Sequence, residues 1–70
     1  MRLSTRNHLS GTVVEVNLGE VMATVKVRLD RGDQTVTAAI TKEATQDLGL
    51  AAGKPVTVLV KSTEVMLAVN

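Results

Sequence analysis

Val21-Met22-Ala23-Thr24-Val25-Lys26-Val27-Arg28-Leu29-Asp30 is the stretch whose reading decides the fold. Ala23, Val25, Val27 and Leu29 alternate with Thr24, Lys26, Arg28 and Asp30. A period of two puts the apolar set on one face and the polar set on the other. This predicts a strand with one buried and one wet face. Arg31-Gly32-Asp33 follows as a tight turn, with glycine able to take a positive φ. From Gln34 to Ile40 the alternation resumes, with Val36, Ala38 and Ile40 against Thr35, Thr37 and Ala39. The two runs form an antiparallel hairpin.

Working outward, Leu9 to Leu18 predicts another strand, with Val14, Val16 and Leu18 inward and Glu15 and Asn17 outward. Gly11 near its start marks a bulge or a close backbone approach. Gly19-Glu20 turns the chain into the hairpin. On the other side, Thr41 to Gly49 predicts one short helix, with Thr41 as N-cap, Glu43 in the first turn and Gly49 as the C′ stop. Leu50 to Pro55 is a loop, and Pro55 opens a strand through Val60 with Val56, Val58 and Val60 inward. Lys61-Ser62-Thr63-Glu64 interrupts the pattern, and Val65 to Val69 reads as a last strand. The expectation is all-β with one short helix: an OB-like, five-stranded antiparallel barrel, the helix falling between strands three and four.

Composition narrows the class. Twelve valines and nine threonines dominate, and no residue is aromatic. Branching at Cβ suits a pleated sheet. Seventy residues make one domain, 1–70, and a chain this short buries little core. With no cysteine and one histidine, disulfides and a zinc cluster are excluded as staples. Oligomerisation is the remaining common device. No apolar run is long enough to span a bilayer, and Met1 to Ser10 hold no apolar signal segment, so a soluble cytoplasmic protein is expected. Nucleic-acid binding of the OB type needs stacking aromatics and a basic groove. This chain has no aromatic residue and a formal charge of +1, so Lys26 and Arg28 read as a solvated face.

Two familiar catalytic or nucleotide signatures fail on inspection. Gly49-Leu-Ala-Ala-Gly53-Lys54 has its glycines one residue too close for a phosphate loop, and Pro55 stands where a metal-binding hydroxyl belongs. His8 has no carboxylate to orient it as a catalytic base, and the three methionines read as packing residues. No enzyme is expected.

Ser4-Thr5-Arg6-Asn7-His8-Leu9 and Lys61-Ser62-Thr63 carry a different chemistry. Each sets a cation among small hydroxyl or amide side chains, and neither contains an acid. A tetrahedral dianion wants donors on every oxygen and positive charge nearby. Arg6 offers a planar fork and Lys61 a compact charge. Ser4, Ser62 and Thr41 add hydroxyls, with backbone N–H groups near Arg6, Ser62 and the helix start. Charge-assisted hydrogen bonds contribute roughly 1.5–3 kcal/mol each, so about four to six supply on the order of 6–18 kcal/mol before ordering costs. Micromolar to nanomolar binding requires roughly 8–12 kcal/mol. The scheme needs no resident metal and no proton transfer. The competing reading is a structural or assembly module holding a generic sulfate or phosphate.

These segments, with Ser10-Gly11-Thr12-Val13, Ala39-Ile40-Thr41, Leu48-Gly49-Leu50, Gly53-Lys54 and Val60-Lys61-Ser62-Thr63-Glu64-Val65-Met66, resemble the molbindin (Mop) family of small molybdate-binding proteins. The match covers essentially the whole chain, and the length points to the free-standing form. The resemblance implies strands exchanged between paired subunits and a homo-hexamer built as a trimer of dimers. It also implies molybdate, and its tetrahedral twin tungstate, bound at subunit interfaces as oxyanions. It assigns Ser4, Arg6, Lys61 and Ser62 to one class of site, with Thr41 and the backbone near Ala44 reaching in from another subunit. Asn7 and His8 are candidates for a second site near a symmetry axis. The role it implies is intracellular molybdenum storage, buffering or homeostasis.

Overall fold

The computed structural model describes residues 2–70. The hairpin is where the sequence puts it: β2 (Met22–Leu29) pairs antiparallel with β3 (Thr35–Thr41), Val25 opposite Ala38 and Val27 opposite Val36. Ala23, Val25 and Val27 are buried, while Lys26 and Arg28 are exposed. The reversal is closed by the Leu29 N–H donating to Gln34 O at 2.9 Å, with Gly32 at φ +79°.

β1 (Asn7–Leu18) is the long strand that bends the sheet. Its first half, Asn7 to Thr12, pairs with β4 (Pro55–Val60), and its second half, from Gly11, pairs with β2. The order is β3-β2-β1-β4. The register shifts between Val13 and Glu15, which leaves Val14 as an additional residue. A bulge bends its strand and increases the local twist, so the sheet curls into a half-barrel.

That bulge corrects the expected core assignment of β1. Val13 is buried at 1% exposure, whereas Val14 is 43% exposed. The inward set is Gly11 and Val13, then, one residue out of phase, Val16. Leu18 keeps the face of Val16 but ends the strand, and is 55% exposed. Gly11 is therefore the close-approach residue and not the bulge. A Cβ built there would lie 2.6 Å from Val27 Cγ1 and 2.8 Å from the Arg28 carbonyl oxygen. Because one obstacle is backbone, Gly11→Ala is expected to destabilise by about 1–3 kcal/mol. A lower urea midpoint at unchanged slope and equal protein concentration checks it.

The core is Val13, Val25 and Val27, lined by Val16, Ile40, Leu50, Val56 and Val58. The helix α1 (Lys42–Asp47) covers the end of β2 and β3. Thr41 caps it, accepting from Ala44 N–H at 3.0 Å, and Gly49 ends it at φ +63°. Buried Thr45 donates to Thr41 O at 3.1 Å, so its hydroxyl is satisfied. The Lys54 ammonium donates to Leu48 O and neutralises the helix C-terminal end.

The sheet has four strands, not five. Lys61 opens a single 3-10 turn, Ser62–Glu64, and residues 65–70 pair with no strand among the described residues. Met66, Leu67 and Val69 are 93%, 92% and 97% exposed. The apolar composition of Val65 to Val69 was strand-like, but a strand exists only where a partner supplies its ladder. Within this chain both sheet edges, β3 and β4, stay open and the tail lies on neither.

Candidate oxyanion site

Antiparallel register brings the two cationic segments together. Asn7 pairs with Val60, the last rung of the β1–β4 ladder. Arg6 and Lys61 are the next residues beyond that rung on the two strands; further out the chain bends at Ser4 and enters the 3-10 turn at Ser62. Two segments at opposite ends of the sequence thus leave the sheet side by side at one end of it.

All of Ser4, Arg6, Lys61 and Ser62 are exposed in the single chain. Among the described residues the one ion pair is Lys26 to Glu15, at 3.2 Å, across the bulge. Arg6 and Lys61 therefore have no carboxylate neutralising them. A cleft of about 580 Å³ is lined by His8, Ser10, Asp30, Arg31 and Gln34 among others, and includes neither Arg6 nor Lys61. Asp30 makes it a poor place for a dianion. The cationic segments form an open edge, not a closed pocket.

Thr41 and Ala44 lie elsewhere. Thr41 pairs with Met22 at the start of β2, beside the Leu18 end of β1, while Arg6 adjoins the Asn7 end. The length of β1 separates them within one chain. Both are also engaged locally, since Ala44 N–H donates to Thr41 Oγ1 and Lys42 N–H donates to Val21 O at 2.7 Å. The Thr41 hydroxyl proton remains to be donated.

Asn7 and His8 are committed to backbone carbonyls. Asn7 Nδ2 donates to Val60 O at 3.0 Å, and His8 Nε2 bonds Thr5 O. A carbonyl only accepts, so Nε2 carries the proton. No sequence signal links Asn7 to a residue 53 positions away. Only the register does. Among the described residues no cluster of three or more metal-ligating His, Cys, Asp or Glu side chains exists. No helix there is long and apolar enough to cross a membrane.

Fold and site together define a small curled-sheet β domain with an open edge that carries Arg6 and Lys61. The chain belongs to the TOBE-domain family, whose model matches residues 3–67, in its small molybdenum-pterin-binding (Mop) form. It is 42% identical over 67 residues to molybdenum-pterin-binding protein 3 of Clostridium pasteurianum, covering 96% of this chain and 97% of that protein. A molybdate-binding protein from Sporomusa ovata superposes with a TM-score of 0.90 at 40% identity, covering 97% of this chain and 98% of that one. The cytoplasmic molybdate-binding protein ModG, solved with molybdate bound, matches with a TM-score of 0.82 at 40% identity. There the match covers 89% of this chain and 43% of ModG. Several further relatives are longer proteins, of which this chain spans 24–25%.

Proposed function

We propose that this protein binds molybdate as the free tetrahedral dianion, between copies of the chain, for cytoplasmic molybdenum storage, buffering or homeostasis. The observation that supports the reading is the β1–β4 register, whose last rung, Asn7–Val60, is followed by Arg6 on one strand and Lys61 on the other, with Ser4 and Ser62 close by in sequence. Arg6 and Lys61 match the charge of the dianion, and the serine hydroxyls donate to its oxygens. Tungstate has the same charge and shape and is expected to compete. The separation of Thr41 and Ala44 from Arg6 within one chain supports a site completed by a second copy. The names of the relatives support the ligand, and ModG's description supports the compartment.

The relatives' names also raise a pterin-bound form of molybdenum. A pterin ring needs a flat apolar or aromatic wall to lie against, and this chain has no aromatic side chain. The bare oxyanion fits the residues better. Nothing in the scheme turns over a substrate, and the reading is of a binding protein.

Assembly follows from the open edges. In an OB-like barrel a fifth strand closes the gap, here between β3 and β4. The tail Val65 to Val69 of a second copy has the composition for it, giving strand-exchanged dimers, three of which make a hexamer. Titration calorimetry with molybdate, with and without a large excess of sulfate, tests the function. Molybdate binding that survives sulfate is expected. Equal displacement by sulfate or phosphate would instead identify a generic anion site on an assembly module.

A further inference from the structure

We infer that Asn7 and His8 are positioning residues of the oxyanion site, which fix the two strand ends carrying Lys61 and Arg6. The inference rests on the molybdate reading above and assigns these two residues a role other than that of second-site ligands. They are the first two residues of β1, and each spends a side-chain donor on a carbonyl next to a cation. Asn7 Nδ2 holds Val60 O, whose peptide leads into Lys61. His8 Nε2 holds Thr5 O, whose peptide leads into Arg6.

The placement matters because the ladder stops here. Asn7–Val60 is its last rung, and beyond it no interstrand backbone bond restrains either end. Strand ends without a ladder open at little cost. The two side-chain bonds extend order one step further along each strand. An end already held in the bound geometry loses less conformational freedom when the anion arrives, which raises affinity without adding a contact.

The same bonds occupy the donors both residues would offer a ligand. With its proton engaged by Thr5 O, His8 Nε2 has none left for an oxyanion. Asn7 retains one amide proton, but its orientation is set by Val60 O.

The test uses the intact, assembled protein and molybdate calorimetry, with solution mass and melting temperature measured on every variant. His8→Leu and Asn7→Leu remove the donor at similar size; His8→Gln and Asn7→Gln retain one. Each Leu variant is expected to bind about fivefold more weakly, the worth of one net hydrogen bond. The number of molybdates per chain and the mass should stay unchanged, and the melting temperature should fall by no more than the several degrees that one hydrogen bond costs. Each Gln variant should recover to within about twofold of wild type. The inference is overturned if the Leu variants bind as wild type does. It is overturned too if the stoichiometry drops at constant affinity, which is the mark of a lost ligand. Altered mass, or a larger fall in melting temperature, without rescue by Gln would assign a merely structural role and overturns it as well. Failure of the molybdate reading is separate, since wild type itself would then give no binding heat.

Discussion

Arg6→Ala and Lys61→Ala will each bind molybdate at least about tenfold more weakly than wild type, with the fold intact. Each removes one or more charge-assisted hydrogen bonds worth roughly 1.5–3 kcal/mol, and about 1.4 kcal/mol is tenfold in affinity. Arg6 should cost more, because its fork addresses two oxygens at once and lysine does not. The fold should not suffer, since both side chains are exposed, outside the core, and without a carboxylate partner among the described residues. Calorimetric titration with molybdate, with circular dichroism on the same samples, measures both quantities. Unchanged affinity in both variants would remove the site.

Ending the chain at Glu64 is expected to prevent the proposed strand-exchanged assembly. Val65, Met66, Leu67 and Val69 are all exposed in the single chain. Covering a side chain of this kind returns about 1.5–3 kcal/mol. Long unpaired edges invite another strand, and β3 and β4 offer two of them. Light scattering behind size exclusion, at micromolar concentration, should show the full chain as an oligomer and the truncated one as smaller species. Molybdate affinity should fall with it, because Thr41 and Ala44 can meet Arg6 only from another copy. A truncated chain of undiminished mass would exclude strand exchange through the tail.

The misread part of β1 shows where local pattern fails. Val13-Val14 offers two apolar neighbours, and a strict period of two from Val16 backward selects Val14. The structure selects Val13, because Gly53 N–H donates to Val13 O at 2.7 Å and Val13 N–H donates to Lys54 O at 2.9 Å. Those two bonds from a loop some forty positions away tie down Val13 and leave Val14 as the additional residue. Nothing near Val14 in sequence announces it. A glycine at position 11 fits either a bulge or a close approach, and only the nearness of Val27 and the Arg28 carbonyl decides between them.

The sequence by itself determined four strands, the capped helix, the turns at Gly32 and Gly49, and the donor-rich chemistry of Ser4 to Arg6 and Lys61 to Ser62. These are local properties: side-chain periodicity, backbone freedom and the donor inventory travel with the residues. The tertiary structure alone decided the bulge, the lack of a fifth strand among the described residues, and the Asn7–Val60 rung beyond which Arg6 and Lys61 lie. It also decided their distance from Thr41 and the grip of Asn7 on Val60. Each of these depends on which residue stands across from which. Register is fixed by the sum of many weak pairings over the whole sheet, so no single stretch of sequence contains it.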